Sequence, residues 1–183
     1  MIRYHITGGL TLEETLAAVR RSAAAGVEMI QVREKQLGAR ELLRWTELVM
    51  AAAGPAKVLV NVRVDVALAC GAAGVHLPAD APPPGVWRRL APAGFLAGVS
   101  CHSVEETRRA EEEGADFVVF SPVFAPLSKT SPLPPHGLDG LAQACRAVRI
   151  PVLALGGVTW SNAGSCVAAG AAGVAGITLF RNG

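Results

Sequence analysis

The short sequence Gly-Ala-Ala-Gly-Val occurs twice in the chain, at residues 71–75 and 170–174, and each copy leads into an apolar run. Weaker copies of the same pattern begin at Gly26 and Gly114. The intervals between the four glycines each fit about two strand-plus-helix units of ~20 to 25 residues. The pattern therefore predicts a regular alternation of helices and strands, in which glycine ends a helix and the following run forms a buried strand.

Eight short segments rich in β-branched residues fit this alternation as strands. They cover residues 3–7, 28–34, 58–62, 74–78, 95–100, 117–123, 152–156 and 174–179. Segments with helical periodicity lie between them. Two of these segments begin with the spacing of a capping box, at Thr11 and Glu14 and at Ser103 and Glu106. The order is compatible with a closed (β/α)8 barrel or with a doubly wound open sheet. The count of strands and the lack of a Gly-x-Gly-x-x-Gly loop after the first of them favour the TIM barrel.

No change in composition divides the chain, so we expect one domain over residues 1–183. Only Phe180 to Gly183 follow the last predicted strand, and we therefore expect the eighth helix of a complete barrel to be missing. The predicted seventh helix, residues 162–171, contains no charged residue, although a helix that faces water normally has a charged face. An uncovered apolar wall beside such a helix predicts a homodimer that buries helix seven or strand eight.

The charge and the cysteine pattern argue against several classes of protein. A net charge of +2 is too small to predict binding to nucleic acid. The cysteines form no Cys-x-x-Cys motif and no secretory leader precedes them, so a cytoplasmic location is expected. Residues 150–180 carry no charge, but Pro151 and several glycines interrupt them, so we expect no membrane span.

Residues that could carry chemistry are expected after the C-terminal ends of the strands, where barrel enzymes build their active sites. Polar residues and glycines collect there in chain order: Gln31, Arg33 and Lys35; Asn61; His76 and Asp80; Ser100 and His102; Ser128, Lys129, Thr130 and His136; Gly156 and Gly157; and Thr178. This distribution predicts a small-molecule site at that end of the barrel.

Gln31, Arg33 and Lys35 alternate along the second predicted strand, so their side chains are expected to point in one direction, into the barrel. Buried amide and guanidinium groups need a partner or a ligand. Glu28 and Glu34 are expected to face outward by the same alternation, which makes them poor partners for Arg33. A ligand-binding role is therefore favoured over an internal ion pair.

Three features on adjacent loops predict a phosphate site. Gly156 and Gly157 can present backbone N–H groups after the seventh strand, in the region where barrel enzymes often bind phosphate. Lys129 supplies a cation, and Thr178 follows the eighth strand. Two structural interpretations stay open, namely a glycine turn that needs positive φ and, for residues 128–130, a solvated loop.

The order of these motifs resembles the thiamine phosphate synthase family and its relative, the TenI thiazole tautomerase. The similar segments extend over nearly the whole chain: Gln31-x-Arg33-x-Lys35, Asn61 with Arg63-Val64-Asp65-Val66-Ala67-Leu68, Gly74-Val75-His76-Leu77, Gly98-Val99-Ser100-x-His102, Gly114-Ala115-Asp116 with Pro122-Val123-Phe124, Ser128-Lys129, and Gly156-Gly157-Val158-Thr159. The resemblance implies a barrel that binds a phosphorylated thiazole.

The resemblance also implies roles for the candidate residues. Those that match the family's thiazole phosphate site are Ser128, Lys129, Gly157 and Thr178. Those that match its diphosphate and pyrimidine site are Gln31, Arg33, Lys35, Asn61 and His76, and we add Ser100 and Gly156 as binding candidates from their positions. In the synthase reaction a pyrimidine diphosphate loses pyrophosphate to give a carbocation, which the thiazole nitrogen captures, and Mg²⁺ assists the departure.

Two departures from the synthase pattern favour the tautomerase. The synthase has Asn-Asp after strand three, where this chain has Asn61-Val62, and an Asp after strand four, where Asp80 lies one residue early and Ala81 takes the expected place. Mg²⁺ needs several oxygen ligands, so Asp80 alone is a weak metal candidate. The tautomerase needs no cofactor, only a proton shuttle, for which the candidates are His76, His102 and His136.

Three functions stay open on the sequence. The favoured one is a TenI-like tautomerase of thiamine biosynthesis that shifts a proton on a thiazole phosphate, although Pro122 stands where that branch has a catalytic histidine. His136 lies in the same long loop as Lys129, and a flexible loop would bring its ring over the ligand. The alternatives are a Mg²⁺-dependent thiamine phosphate synthase and a non-catalytic protein that binds a phosphorylated ligand.

Overall fold

The structure is a computed structural model that describes residues 1–125 and 134–181. Its strands are β1 (Ile2–Ile6), β2 (Met29–Val32), β3 (Lys57–Asn61), β4 (Gly74–Leu77), β5 (Leu96–Cys101), β6 (Phe117–Phe120), β7 (Val152–Ala154) and β8 (Gly173–Gly176). Its α-helices are α1 (Leu12–Ala24), α2 (Ala39–Ala52), α3 (Val64–Ala69), α4 (Pro84–Trp87), α5 (Val104–Glu112), α6 (Gly137–Ala147) and α7 (Trp160–Ala168). Short 3-10 helices cover Arg88–Leu90 and Thr178–Phe180.

The eight strands form a closed parallel barrel in chain order, in which β8 returns to pair with β1. Ile2 is paired with Gly173 and His5 with Gly176 at this closure. The predicted TIM barrel is therefore confirmed, and the open-sheet alternative is excluded. Within the described part of the chain there are seven α-helices, one fewer than a complete (β/α)8 barrel has, as expected. None of these helices has the length and hydropathy needed to span a membrane.

Two apolar layers hold the barrel together. The inner layer fills the barrel itself and includes Tyr4, Leu59, Phe117 and Leu153. The outer layer lies between strands and helices, and it receives the neighbouring strand residues because side chains alternate between the two faces of a strand. Gly98 makes room for the Phe117 ring, since a Cβ at this position would lie 2.7 Å from Phe117 Cε2.

The repeated glycine pattern has the predicted structural role. Gly71 and Gly170 follow α3 and α7 with φ of 69° and 107°, which are left-handed conformations that favour glycine. The predicted capping box of α1 is present, with Thr11 N donating to Glu14 Oε2 at 2.8 Å. At α5 only half of the predicted box forms, because the Glu106 carboxylate accepts from His102 N instead of Ser103 N.

The wall at β8 and β1 is less open than predicted. After β8 the described chain makes a 3-10 turn, and this turn buries Phe180 against the His5 ring at a centroid distance of 5.3 Å. Trp160 packs edge-on against the same phenylalanine and is 51% exposed. A small cavity of about 60 Å³ remains at this wall, lined in part by Arg3, Trp160 and Leu179. The chain's own aromatic residues thus cover part of the surface that an eighth helix would occupy.

Candidate active site

Four polar side chains meet inside the barrel, near the C-terminal ends of the strands. They are Tyr4 of β1, Gln31 of β2, His76 of β4 and Ser100 of β5, and we call them the inner polar cluster. His76 Nε2 lies 2.8 Å from Ser100 Oγ, and His76 Nδ1 lies 3.5 Å from the Tyr4 hydroxyl. The tyrosine ring packs edge-on against Phe117, with the ring centroids 5.6 Å apart. The cluster therefore combines hydrogen-bonding groups with aromatic surface.

Gln31 is the member of this cluster that lacks a partner. Its side chain is 1% exposed, and its Nε2 has no hydrogen-bond partner among the described residues. A buried donor without an acceptor costs about 1–3 kcal/mol, and buried polar groups of this kind call for an explanation. A ligand that brings an acceptor atom into the barrel would satisfy the amide.

The inner polar cluster is uncharged at neutral pH. Burial, and to a lesser extent the positive charge of Arg33, lowers the pKa of His76 to about 3. Burial raises the pKa of Tyr4 well above its ordinary value, and the nearby Gln31 amide opposes this rise in part, although its Nε2 does not reach hydrogen-bonding geometry with the tyrosine hydroxyl. His76 is thus a neutral imidazole that can orient a ligand by hydrogen bonding, and the cluster suits a neutral polar ring better than an anion.

A cavity of about 340 Å³ opens at the C-terminal end of the barrel, and we call it the mouth cavity. It lies among the loops after β1, β2 and β8, and its lining residues are Gly8, Gly9, Arg33, Lys35, Gln36, Ile177, Thr178 and Arg181. Three of these residues are cationic and none is acidic. An anionic ligand is therefore the complementary occupant.

The loop after β2 differs from the prediction in an informative way. The strand ends at Val32, so only Gln31 of the three alternating candidates points into the barrel from a strand. Arg33 is half-buried and Lys35 is exposed, and both line the mouth cavity. Glu34, which was expected to face outward, is buried and accepts a hydrogen bond of 2.7 Å from Thr7 Oγ1. The side-chain alternation stops because the chain leaves the strand two residues earlier than predicted.

The other two candidate histidines lie outside the barrel interior. His102 is exposed, and its Nδ1 lies 2.7 Å from the Ser121 carbonyl oxygen. His136 begins α6, where its backbone N–H donates to Pro122 O at 2.9 Å and its ring lies 4.8 Å from the Phe120 ring. These contacts place His136 where the loop after β6 meets α6, and a role for its ring over the ligand stays a prediction.

The predicted phosphate loop is described only in part, because Ser128, Lys129 and Thr130 lie outside the described residues. Gly156 and Gly157 have φ of 94° and 62°, as the turn interpretation requires. A Cβ at Gly157 would lie 2.7 Å from Phe124 Cβ, so this glycine is also needed for close packing against the loop after β6. Thr178, which follows β8, lines the mouth cavity.

The described residues offer few candidate ligands for magnesium. Asp80 is exposed in the turn after β4, and Asn61 ends β3 in a half-buried position. Val62, which follows Asn61, has φ of 65° and is 46% exposed. No group of three or more His, Cys, Asp or Glu side chains suited to a metal ion occurs in the described ranges. These residues alone do not fit the near-octahedral oxygen site that Mg²⁺ prefers.

Two side chains of the site were missed from the sequence. Tyr4 was predicted only to lie in a strand, although it is the chain's one tyrosine and shares a face of β1 with Ile2 and Ile6. Arg181 was not singled out, although it is the first charged residue after the uncharged stretch 150–180. The position of Tyr4 in the barrel depends on the register of β1, and the position of Arg181 depends on the turn after β8. Sequence motifs give neither.

A family model and curated relatives both assign the chain to one family. A model described as thiamine monophosphate synthase matches residues 3–180. The chain is 44% identical over 173 residues to the putative thiamine-phosphate synthase 2 of Aquifex aeolicus, which covers 92% of this chain and 90% of the relative. It is 46% identical over 158 residues to the thiamine-phosphate synthase of Methanoculleus marisnigri, which covers 85% of this chain and 75% of the relative.

Solved structures agree with this result. The thiamine phosphate pyrophosphorylase from Pyrococcus furiosus superposes with a TM-score of 0.86 and 30% identity, over 100% of this chain and 88% of that one. A 3-hexulose-6-phosphate synthase superposes with a TM-score of 0.75 but only 21% identity, which shows a shared barrel fold alone.

Proposed function

Because the chain belongs to the thiamine monophosphate synthase family, we propose that it is a thiamine phosphate synthase, which joins a pyrimidine diphosphate to a thiazole phosphate. The observation that carries this proposal is the uncharged inner polar cluster, with its unpaired Gln31 amide, behind a mouth lined by three cations. Such a site suits a neutral heteroaromatic ring that carries an anionic diphosphate. The names of the curated relatives support the same function.

The pyrimidine ring is proposed to enter the barrel. Its ring nitrogens are acceptors for Gln31 Nε2, and the neutral His76 and the Ser100 hydroxyl offer further hydrogen bonds. The diphosphate then stays at the mouth, within reach of Arg33 and Lys35. Holding the two ends of the substrate in separate environments fixes the carbon that must react between them.

The proposed reaction breaks the carbon–oxygen bond between the pyrimidine's methylene carbon and the diphosphate, whose oxygen keeps the electron pair. The resulting carbocation is captured by the lone pair of the thiazole nitrogen, as the family resemblance implies. Negative charge grows on the diphosphate as the bond breaks, so the cations of the mouth stabilise the transition state more than the bound substrate. Arg33 is proposed to contribute most among the described residues, because it is half-buried.

The family resemblance implies a role for Mg²⁺, which would neutralise charge on the diphosphate when bound. In this chain Asp80 and Asn61 are the candidates to hold it. Two side chains are too few for near-octahedral coordination, so oxygen atoms of the substrate would have to supply further ligands. The steps proposed for Gln31, His76 and Arg33 do not depend on the metal.

The tautomerase alternative has less support than the synthase. It was favoured because carboxylates of the synthase pattern are missing, yet a proton shuttle needs a group that titrates near neutral pH. His76 does not meet this requirement, because its pKa lies at about 3, and His136 is held at the start of α6. His102 is the exposed candidate that stays open for this chemistry.

One assay separates the three functions. Purified protein is incubated with the pyrimidine diphosphate, the thiazole phosphate and Mg²⁺, and thiamine phosphate is followed over time; in a second arm, tautomer exchange of a thiazole carboxylate phosphate is followed by NMR. We expect thiamine phosphate formation. Exchange without thiamine phosphate would establish the tautomerase instead, and binding without either reaction would establish the non-catalytic protein.

The thiazole phosphate is proposed to bind between Lys129, Gly157 and Thr178, on the loops after β6, β7 and β8. Lys129→Ala should weaken thiazole phosphate binding by about tenfold or more, because it removes a charge-assisted hydrogen bond. Isothermal titration calorimetry measures the affinity, with Lys57→Ala at the opposite end of the barrel as the control. An unchanged affinity for Lys129→Ala would remove this residue from the site.

Val62 supplies a prediction on both stability and metal binding. Its φ of 65° is costly for a β-branched residue, whereas Asp and Asn tolerate this conformation better. Val62→Asp and Val62→Asn should each stabilise the protein by about 1 kcal/mol, measured by thermal unfolding.

The double variant Val62→Asp with Ala81→Asp should also raise the affinity for Mg²⁺ and the synthase activity, whereas Val62→Asn should raise neither. Tight binding of Mg²⁺ by the wild-type protein without diphosphate would contradict this prediction.

We also propose that the protein forms a homodimer through α7 and the wall beside it. Trp160 and Val167 of α7 are 51% and 40% exposed, and the helix carries no charge. Trp160→Glu should therefore convert a dimer into a monomer, while Leu90→Glu, an equally drastic change at a residue that is 75% exposed elsewhere, should not. Light scattering after gel filtration measures the mass, and a wild-type monomer near 18.9 kDa would refute the dimer.

A further inference from the structure

Arg181 lines the mouth cavity and is cationic, and it lies outside the motifs on which the family resemblance was based. It follows the 3-10 turn after β8, whereas Arg33 and Lys35 come from the loop after β2. The loop after β1 connects the two sides: a Cβ at Gly9 would lie 3.3 Å from Arg181 Nη2, and one at Gly8 would lie 4.0 Å from Arg33 Nη1. Two guanidinium groups therefore border one glycine pair.

Positive charge is in excess at the mouth cavity within residues 1–125 and 134–181. The ion pairs among the described side chains are Arg3–Glu28, Arg63–Asp65 and Arg88–Asp116, and none of them involves the mouth cavity. Two carboxylates lie near the cavity, and neither forms an ion pair with a lining cation. Glu34 accepts from Thr7 and Gln36, and Glu14 accepts from Thr11. Hydrogen bonds from Thr11, and more weakly the charge of Arg181, lower the pKa of Glu14, so these carboxylates offset part of the positive charge of the three lining cations but not all of it.

Arg181 itself is only partly engaged by the protein. Its Nη2 donates to Gly8 O, and its backbone oxygen accepts from Arg21 Nη2 at 3.0 Å. Arg181 Nη1 and Nε have no acceptor among the described residues. Arg21, which contacts the Arg181 backbone, adds a further positive charge. A guanidinium with free donors beside like charges binds anions well, because its planar fork matches the oxygens of a phosphate.

We propose that Arg181 is a further substrate-binding residue, which holds the diphosphate together with Arg33 and Lys35 from the opposite side of the mouth cavity. The inference rests on the proposed function, because it takes the diphosphate as the anion of this cavity. A ligand with two linked phosphate groups can meet guanidinium groups on both sides, whereas a single phosphate can meet fewer donors at once. The cavity of about 340 Å³ is within the usual range for small-ligand sites.

A purely structural role for Arg181 would be to anchor the loop after β1 through Gly8 O. Two substitutions separate this role from anion binding. Arg181→Gln keeps a neutral donor for the carbonyl and loses the charge, whereas Arg181→Lys keeps the charge and loses the fork. Arg108→Gln removes one positive charge from the exposed face of α5 and serves as the control for net charge.

The test is calorimetric titration of each full-length variant with inorganic pyrophosphate in the presence of Mg²⁺, at two salt concentrations, with thermal unfolding as the check on folding. We expect Arg181→Gln to bind pyrophosphate about tenfold more weakly than wild type, with a smaller salt dependence and an unchanged melting temperature. Arg181→Lys should recover much of the affinity, and Arg108→Gln should match wild type.

Two results would overturn the inference in different ways. If Arg181→Gln binds like Arg108→Gln while Arg33→Gln loses affinity, Arg181 lies outside the anion site and the proposed function stands. If the wild-type protein does not bind pyrophosphate and Arg33→Gln changes nothing, the diphosphate assignment of the cavity fails together with the inference.

Discussion

Replacing Gly173 by alanine should strongly destabilise the pairing of β8 with β1 that closes the barrel. Gly173 begins β8 and is paired with Ile2 of β1, and a Cβ at this position would lie 2.6 Å from Ile2 C and closer still to its oxygen. The obstacle is backbone, so no side-chain rotation relieves it, and the two strands must separate. Overpacking of this kind costs about 3 kcal/mol or more, which corresponds to a fall in melting temperature of roughly 10 °C for a domain of this size.

Circular dichroism during thermal unfolding measures this effect, and Gly85→Ala is the matched control. Gly85 is exposed in α4, and the nearest atom to a Cβ there would be Glu113 O at 3.6 Å, which is an ordinary contact. This control should be neutral or stabilising by about 0.5–1 kcal/mol, because alanine is the better helix former. A Gly173→Ala protein as stable as the control would mean that β1 and β8 are not paired as described.

Arg33→Gln should reduce synthase activity the most among the described mouth residues. The guanidinium is half-buried, lines the mouth cavity, and acts electrostatically on His76 in the inner polar cluster. If it stabilises the charge that grows on the departing diphosphate, its loss should lower kcat/KM by about 100-fold or more. Steady-state kinetics of thiamine phosphate formation, with Arg108→Gln as the control, measure the effect.

The division of this loss between kcat and KM is also informative. A change confined to KM would mean that Arg33 binds the ground state and the transition state equally, and a fall in kcat would mean that it assists bond breaking. We expect both to change. Activity of Arg33→Gln equal to that of Arg108→Gln would place the diphosphate elsewhere.

The fold was predictable because strong signals repeat along the chain. The glycine pattern recurs at four helix ends, and buried strands and helical stripes recur along the whole alternation, so an error in one unit does not alter the total. Gly71 and Gly170, at the ends of α3 and α7, have the left-handed φ that the repeated sequence suggested.

The site was less predictable, because its geometry depends on where each strand stops. The apolar and polar pattern of residues 28–34 continues beyond Val32, and nothing in that pattern shows that the chain leaves the sheet there. Glu34 is consequently buried against Thr7, and Arg33 lines the mouth cavity from a loop. Arg181 depends in the same way on the turn after β8, which brings distant parts of the chain together.

The choice of reaction depended too heavily on a few carboxylates. The Asp residues that the resemblance leads one to expect at positions 62 and 81 concern the metal site alone, whereas the inner polar cluster and the mouth cavity are proposed to bind the substrate. Mg²⁺ often obtains several of its ligands from substrate phosphates and water, so protein carboxylates are an incomplete guide to synthase chemistry. The features that bind the substrate carry more weight for the proposed reaction.

A crystal structure of the protein with an unreactive analogue of the pyrimidine diphosphate tests most directly whether the inner polar cluster and the mouth cavity form one substrate site. We predict a ring nitrogen within hydrogen-bond distance of Gln31 Nε2 and the diphosphate against Arg33 in the mouth cavity. A ligand bound elsewhere, with the Gln31 amide still unpaired inside the barrel, would contradict the proposed synthase site.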